Sequence, residues 1–168
     1  AYLPEDRLSE GLFLEQSVER NTVAAHLEFL RNRVRLIWPS RVSQETTRWI
    51  KELDIKAASG QMPVSGLSGG NQQRVVLAKW LATNPALLIL NGPTVGVDVG
   101  SKQAIHDKLR QLASRGMGIL LISDDLPELA NNCNRILVMH QGRIVDELSG
   151  ADSDADAIAR RLTSFQSR

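Results

Sequence analysis

The stretch Leu67-Ser68-Gly69-Gly70-Asn71-Gln72-Gln73-Arg74 is followed at once by an apolar run with helical spacing. Ser68 has the side chain of a helix N-cap, and the two glycines after it favour backbone amides that no side chain covers. Amides at the start of a helix and the helix dipole both attract anions. A glycine-rich turn that caps an ordinary helix explains Ser-Gly-Gly alone about equally well, so the longer pattern has to decide.

Three motifs in a fixed order form that longer pattern. After the signature stretch come an apolar run at 86–90 and then Gly-Pro-Thr-Val-Gly-Val-Asp at 92–98. This order resembles the segment from the signature motif to the D-loop in ATP-binding cassette (ABC) transporter ATPases. The asparagine after the two glycines is similar to the second ATPase domain of the tandem subunits that power bacterial importers of ribose, galactose, xylose or autoinducers. The resemblance implies the C-terminal part of such a domain.

Length and composition indicate one soluble domain. The 168 residues are enough to bury a core, and twenty basic against nineteen acidic side chains give a net charge of +1. A net charge so close to zero does not indicate a nucleic-acid partner. Cys133 is the single cysteine and suits a reducing compartment, and no apolar run reaches the roughly 20 residues that span a bilayer. We expect a cytoplasmic chain without a signal peptide, and the missing initiator Met suggests a start within a longer protein.

Apolar spacing predicts strands that alternate with helices, which is an α/β fold. In a helix predicted at 43–53, Thr47, Ile50 and Leu53 are expected to face the core. The other predicted elements are a strand ending at Leu3, an amphipathic helix at 17–35 with Val23, Leu27, Leu30 and Val34 on its apolar face, a helix after Ser68, strands buried on both faces at 86–90 and 118–123, a helix that Ser101 caps and Gly116 ends, a short helix with a capping box at 125–128, a hairpin at 135–148 and an acidic, then helical tail.

The resemblance implies a partial P-loop NTPase (ABC ATPase) fold, with a helical signature subdomain and the later strands of a mainly parallel sheet. It divides the chain into residues 1–66, a Q-loop remnant and the helical subdomain; 67–150, the signature helix and an α/β ATPase core without a Walker A motif; and 151–168, the tail. Glu5 stands at the Q-loop position, which in the family faces the membrane subunit. The residues alone would make Glu5 and Asp6 a solvated loop.

The groups that hydrolyse ATP are degenerate or missing in this sequence. No Gly-x-x-x-x-Gly-Lys-Ser/Thr phosphate cradle occurs, so we expect the chain to start after its own phosphate loop. The resemblance places the Mg²⁺-linked carboxylate at Asn91, the water-polarising carboxylate at Gly92 and the switch histidine at Asp124. An amide lacks the charge that holds hydrated Mg²⁺, and a missing general base typically costs roughly 10²–10⁴ in rate. We predict no intact catalytic residue and no metal site.

The part of the family mechanism that acts on a partner remains intact. In the family, the signature helix of one domain closes over ATP that the opposite domain holds. Ser68, Gly69, Gly70 and Asn71 match that signature, and Asp98 matches the D-loop aspartate that communicates across the dimer. The resemblance therefore implies ATP and Mg²⁺ in the full assembly, and neither bound by this chain alone.

The leading interpretation is the ATP-binding component of a bacterial sugar or sugar-signal importer, peripheral at the inner face of the plasma membrane. Its partners would be a second ATPase domain with an intact phosphate loop, transmembrane permease subunits and, indirectly, a periplasmic sugar-binding protein. A catalytically inactive remnant or regulatory pseudo-ATPase that only binds a partner domain is the alternative, and a soluble ABC-type ATPase outside transport is a third. In the resembled fold a further strand separates 118–122 from 135–139, so exposed strand edges and self-association are expected.

Overall fold

The computed structural model describes residues 1–32, 35–149 and 154–166, and the chain divides into two compact units after Leu120. The strands are β1 (Tyr2–Leu3), β2 (Leu87–Asn91), β3 (Gly118–Ile122), β4 (Arg135–His140) and β5 (Arg143–Ser149). The helices are α1 (Val18–Val23), α2 (Leu27–Leu30), α3 (Pro39–Glu52), α4 (Gly69–Leu81), α5 (Val99–Ser114), α6 (Leu126–Asn132) and α7 (Ala155–Gln166). Val34 of the predicted first helix and residues 150–153 and 167–168 of the tail lie outside the described residues.

The central sheet has the strand order β1-β2-β3. β1 and β2 run parallel and pair Tyr2 with Ile89 and Leu3 with Leu90. The strand ending at Leu3 and the α/β class are therefore as predicted. The prediction that β2 and β3 are buried on both faces is wrong, because Leu87 in β2 and alternate residues of β3 are exposed. Each strand packs one face on the core and leaves apolar side chains of the other face open in the described chain.

The predicted helix at 17–35 is not a single helix. A turn at 24–26 separates α1 from α2. The Ala24 amide still donates to the Asn21 carbonyl oxygen at 3.3 Å, and the His26 amide to the Val23 carbonyl oxygen at 2.8 Å, so the chain turns through shorter-range hydrogen bonds here. Leu27, expected on the apolar face, is exposed at the start of α2. The helical spacing of the apolar residues continues across the turn, so the sequence pattern did not indicate the break.

α3 begins earlier and faces the core differently from the prediction. Pro39 occupies its first turn, where the fixed φ of proline suits a helix and no amide hydrogen is needed. Thr46, Trp49 and Leu53 are buried, whereas Thr47 is exposed. The prediction is confirmed for Leu53, whereas Thr46 and Trp49 are buried in place of Thr47 and Ile50.

α4 is the buried centre of the first unit and follows the predicted boundaries. Val75, Val76 and Ala78 are fully buried, and so are residues on its other sides, including Gln73. A helix that is apolar around most of its circumference requires cover on all sides. α1, α5 and β1 supply contacts to it. This burial fixes the direction in which the N-terminus of α4 points.

The second unit contains α6, the β4–β5 hairpin and α7. Gln141 and Gly142 both have positive φ, as a tight hairpin turn requires, so the predicted hairpin is confirmed. Asp125 accepts from the Glu128 amide at 3.1 Å and caps α6, which is one half of the predicted capping box. In place of the other half, the Asp125 amide donates to Ser123 Oγ at 3.1 Å, and Ser123 Oγ donates to the Glu128 carboxylate. The core of this unit consists of Ile136, Val138, Leu148 and Ile158, with Leu126, Leu129, Leu162 and Phe165 packed against it.

Candidate functional site

The N-terminus of α4 is shaped by a side-chain bond that the sequence did not indicate. Ser68 occupies the N-cap position, but its side chain caps no backbone amide. Its Oγ instead accepts from Asn71 Nδ2 at 2.8 Å, and Asn71 Oδ1 accepts from the Lys56 amide at 2.7 Å. The expectation of a hydroxyl cap is therefore wrong. Within the described chain, the amides of the first turn have no side-chain acceptor, and Ser68 is exposed beside them.

Gly69 and Gly70 allow two close contacts at this helix start. A Cβ on Gly69 would stand 2.8 Å from Arg7 Nη2 and 3.0 Å from the Gly96 carbonyl oxygen. A Cβ on Gly70 would stand 2.5 Å from Ser101 Oγ. Gly70 is buried, and a Cβ there would also stand 2.7 Å from Ser101 Cβ, so a side chain at this position would collide with α5.

Asp98 lies at the start of α5, next to the signature turn. It is the N-cap of that helix, and its Oδ1 accepts from the Ser101 amide at 2.9 Å. The prediction that Ser101 caps α5 is wrong, because the helix already begins at Val99 and the carboxylate of Asp98 takes the N-cap position. Hydrogen bonds from the Ser101 amide and hydroxyl lower the pKa of Asp98. Asp98 Oδ2 lies 3.4 Å from where a Cβ on Gly70 would stand, so the predicted signature and D-loop residues are neighbours.

The end of β2 brings together Glu5, Asn91 and Gly92. Gly92 is buried and has a φ of +54°. A Cβ there would stand 2.9 Å from Val95 Cγ2 and 3.0 Å from Glu5 Cγ. The space that a side chain at 92 would need is therefore already filled, in part by the side chain at the predicted Q-loop position.

Arg7 is a site residue that the sequence analysis missed. It follows Asp6, which accepts from the amides of Leu8 and Ser9 and begins a π-helical turn at Arg7–Gly11. These bonds lower the pKa of Asp6, with the Ser9 hydroxyl as the largest cause. The turn directs Arg7 inward, and Arg7 Nη1 donates to the Val95 carbonyl oxygen at 2.8 Å. A basic residue two positions after the predicted Q-loop position was the available signal.

The other end of this turn is held by Lys79 of α4. Lys79 is 7% exposed, and its Nζ donates to the Gly11 carbonyl oxygen at 2.5 Å. The ammonium also lies 5.9 Å from the centre of the Phe13 ring and 5.3 Å from that of Trp80. Burial lowers the pKa of Lys79. The segment that follows Glu5 is thus fastened at both ends to elements of the site.

Comparison with known families agrees with this arrangement. The family model described as ABC transporter matches residues 1–95, more than half of the chain. The chain belongs to the ABC transporter family. This membership confirms the resemblance drawn from the signature stretch and the motif at 92–98.

Curated ABC relatives match nearly the whole chain. It is 46% identical over 165 residues to the ribose import ATP-binding protein RbsA of Ruegeria sp. (strain TM1040), covering 98% of this chain and 32% of that protein. It is 49% identical over 152 residues to ribose import ATP-binding protein RbsA 1 of Rhizobium etli, covering 90% of this chain and 30% of that protein. The chain therefore spans about a third of the length of these relatives.

Solved structures of ATP-binding cassettes share the fold. A nucleotide-free ATP-binding cassette from an ABC transporter superposes with a TM-score of 0.73 at 20% identity, over 96% of this chain and 64% of that one. A dimeric cassette in a post-hydrolysis state bound to ADP and Pi gives a TM-score of 0.70 at 20% identity, over 88% and 61% of the two chains. The predicted P-loop NTPase fold is thereby confirmed.

The residues at the end of β2 do not fit the Mg²⁺ that the ABC family implies. Asn91 is neutral, Gly92 has no side chain, and Glu5 is the carboxylate beside them. Among residues 1–32, 35–149 and 154–166, no group of three His, Cys, Asp or Glu side chains could hold a metal ion. Hard divalent cations need several oxygen ligands, so this chain alone offers no step through Mg²⁺.

Asp124, which was predicted at the family's switch position, belongs to the second unit. It is exposed in the turn between β3 and α6. Its neighbour Ser123 donates to the buried carboxylate of Glu128 and accepts from the Asp125 amide at 3.1 Å. These bonds stabilise the turn around Asp124 without using its own side chain.

A cavity of about 490 Å³ in the first unit lies between the end of α3, α4 and α5. Its charged groups already bind one another. Lys108 Nζ lies 3.0 Å from Glu52 Oε1, and Arg74 Nη1 donates to the Asp54 carbonyl oxygen at 2.6 Å. We assign no ligand to it. In the described part of the chain, no helix is long and apolar enough to cross a membrane.

Proposed function

We propose that the chain contributes the signature motif, in trans, to an ATP site held by a partner ATPase domain of a bacterial importer for sugars or sugar-like signals. The observation that carries the proposal is the exposed Ser68 at a helix N-terminus whose first-turn amides have no side-chain acceptor. Such a turn attracts an anion through its amides and its dipole. A terminal phosphate of ATP has the required charge.

The neighbouring residues support a site completed between two domains. Asp98 is exposed beside the signature turn, where it can meet a partner surface. The end of β2, in contrast, has Asn91 and Gly92 in place of the carboxylates that hydrolysis needs. A chain with an accessible signature and a degenerate catalytic position is suited to complete a partner's site rather than its own.

The partners and the location follow from the kind of importer proposed. The relatives named above are ribose import proteins, which supports a sugar as the transported solute. The full assembly would use ATP and Mg²⁺ bound at the partner's intact phosphate loop, with transmembrane permease subunits and a periplasmic sugar-binding protein. The chain would be cytoplasmic and peripheral to the membrane. Phe29, Leu36 and Trp38 are exposed in the helical segment and offer apolar surface for a permease.

A second candidate is a regulatory pseudo-ATPase that binds a partner domain without supporting its turnover. The crowding around Gly92 favours it, because Glu5 and Val95 fill the space of the family's catalytic side chain. Both candidates predict binding of a partner domain. They differ in whether the signature of this chain accelerates hydrolysis by that partner.

Ser68 is the position at which the two can be separated. Aspartate is a favourable N-cap, so Ser68→Asp should preserve α4 while placing a negative charge where the phosphate would bind. Ser68→Asn is the matched control, since asparagine caps equally well and is neutral. We mix each chain with an ATPase domain of a sugar importer that has an intact phosphate loop, and measure ATP turnover.

If the proposal holds, Ser68→Asp lowers the turnover of the mixture on the order of 10²-fold, as expected for the loss of a preorganised phosphate contact. Ser68→Asn should retain most of the rate. Equal turnover of the native chain and Ser68→Asp would overturn the trans-signature function, and complex formation without stimulation would leave the pseudo-ATPase as the function.

A further inference from the structure

Arg7 lies between two predicted motifs that are far apart in the sequence. Its Nη1 donates to the Val95 carbonyl oxygen at 2.8 Å, in the loop that joins β2 to Asp98. Its Nη2 lies 2.8 Å from where a Cβ on Gly69, the first residue of α4, would stand. The guanidinium therefore contacts the D-loop and the signature helix at the same time.

Glycine at two positions makes this contact possible. A Cβ on Gly96 would stand 3.5 Å from Arg7 Nη1 and 3.6 Å from Nη2, and Gly96 has a φ of +66°. A Cβ on Gly69 would also stand 3.0 Å from the Gly96 carbonyl oxygen. The two backbones and the planar guanidinium pack as a single layer, in which each member limits the position of the other two.

Stabilisation of α4 does not explain a cation at this place. The N-terminus of a helix carries partial positive charge, which disfavours a neighbouring guanidinium. In the described part of the chain, no carboxylate forms an ion pair with Arg7 within 4.0 Å, and Arg7 Nε is buried without a hydrogen-bond partner. Apart from a minor electrostatic interaction with the neighbouring carboxylate of Asp6, the contribution of Arg7 comes from its shape and its bond to Val95.

We propose that Arg7 is a positioning residue that sets the spacing between the signature turn and the D-loop, so that Ser68 and Asp98 meet a partner together. This inference rests on the proposed function for its consequence in turnover, but its structural part stands alone. Arg7 lies two residues after Glu5 in the segment that follows β1. A displacement of this segment would therefore move both the signature turn and the D-loop. Lys79 holds the other end of the same segment through Gly11.

The planar fork of arginine is essential to this role. A guanidinium can donate to Val95 and lie flat against Gly69 with different nitrogens, whereas a lysine ammonium is a compact group on a flexible stem. Arg7→Lys therefore keeps the positive charge but loses the flat packing of the guanidinium against the backbones at Gly69 and Gly96. Arg7→Met loses both. A purely electrostatic role would be rescued by lysine, and a positioning role would not.

Hydrogen exchange of the isolated full chain tests the structural part. The Val97 amide donates to the Thr94 carbonyl oxygen at 3.2 Å and the Val95 amide to Gly92 at 3.1 Å, so both report on the D-loop. We expect Arg7→Lys and Arg7→Met to accelerate exchange at both amides by about tenfold or more, because a hydrogen bond to a charged group is lost. The Ala82 amide at the far end of α4 is the internal reference. Arg20→Met, on the exposed side of α1, is the control variant.

Turnover of the mixture with an intact ATPase domain tests the functional part. Arg7→Lys should lower kcat by about tenfold or more and leave the KM for ATP unchanged, since the partner's phosphate loop holds the nucleotide. Native exchange at Val95 and Val97 in Arg7→Lys would overturn the inference, and so would full turnover with accelerated exchange. A failure of the proposed function is recognised separately, because Ser68→Asp would then leave turnover unchanged.

Discussion

Glu5 Cγ lies 3.0 Å from the place where a Cβ on Gly92 would stand. One residue belongs to the segment after β1 and the other to the segment after β2, and the parallel pairing of these strands brings them together. The sequence analysis predicted Glu5 at the Q-loop position and Gly92 at the position of a catalytic carboxylate. In the structure the side chain of Glu5 lies where a side chain at position 92 would begin.

The first prediction concerns the stability of Gly92→Ala. The new methyl would meet Val95 and Glu5 at a positive φ, so we expect a loss of about 2–4 kcal/mol in the free energy of unfolding. Gly116→Ala is the control, because Gly116 has a φ of +93° and nothing within 4 Å of its Cβ position. It should cost only about 1 kcal/mol. Equal losses in urea denaturation of the two variants would contradict the crowding at Gly92.

The second prediction is that the isolated chain hydrolyses no measurable ATP. The sequence contains no phosphate cradle, and Asn91 and Gly92 stand where the resemblance predicts the family's carboxylates. Asn91→Asp with Gly92→Glu should not restore activity, since the second change also collides with Glu5. Phosphate release is measured for the native chain, and the variant Ser68→Asp, purified in parallel, gives the background rate. Turnover above that background would show that the chain has a catalytic site of its own.

The third prediction separates packing from phosphate contact at Gly70. Gly70→Ala would place its methyl 2.5 Å from Ser101 Oγ and 2.7 Å from Ser101 Cβ. We therefore expect a lower melting temperature, which corresponds to a loss of about 1–3 kcal/mol in the free energy of unfolding. Ser101→Gly removes both opposing atoms. The double variant should therefore be more stable than the sum of the single changes predicts. Additive losses would indicate that the two residues do not touch.

The fourth prediction is a pH dependence that originates at Lys79. Burial lowers the pKa of the folded lysine below its ordinary value of 10.5, so the unfolded chain binds more protons between the two pKa values. The contribution of Lys79 to the free energy of unfolding therefore rises with pH between the lowered pKa of the folded state and 10.5. The stability of the native chain relative to Lys79→Met should therefore increase as the pH approaches 10.5. If urea denaturation gave the same pH dependence of the free energy of unfolding for the native chain and Lys79→Met, the amine of Lys79 would not be desolvated in the folded state.

The fifth prediction is self-association through the β4–β5 hairpin. Met139 and Ile144 pair across the two strands and are 65% and 60% exposed. Exposed apolar strands promote pairing between chains, so light scattering should show species larger than a monomer. Ile144→Lys should shift the distribution toward the monomer. Val99→Lys, which adds the same charge to an 84% exposed residue of α5, should not. A native chain that is monomeric at all concentrations would contradict this expectation.

The sequence predicted the elements whose signals are local. The helix after Ser68, the end of the α5 helix at Gly116 and the turn at Gln141-Gly142 all depend on residues within a few positions of one another. The break between α1 and α2 was missed because the apolar spacing continues across the turn at 24–26. In α3, Leu53 is buried as predicted, but Thr46 and Trp49 take the place of Thr47 and Ile50, a difference of one residue that periodicity alone does not resolve.

The site was predicted as a list of positions and not as an arrangement. The positions at 68–71 and 98 could be named from motif order, but their contact through Gly70 and Ser101 depends on how α4 and α5 pack. Arg7 has no motif of its own, and its importance becomes visible only when Val95 and Gly69 are placed around it. Contacts between residues distant in sequence are decided by tertiary packing, which local patterns do not carry.

The pairing of β1 with β2 has a consequence for the order of folding. The Ala1 amine donates to the Leu87 carbonyl oxygen at 2.8 Å across 86 positions, so this ladder closes a long loop. Loop closure lowers the chain entropy before the new contacts compensate for it, and parallel pairing at long sequence separation is slow. The β4–β5 hairpin and the helices can form from local contacts first. We therefore expect β1 to dock last, so that the segment carrying Glu5 and Arg7 joins a scaffold already assembled.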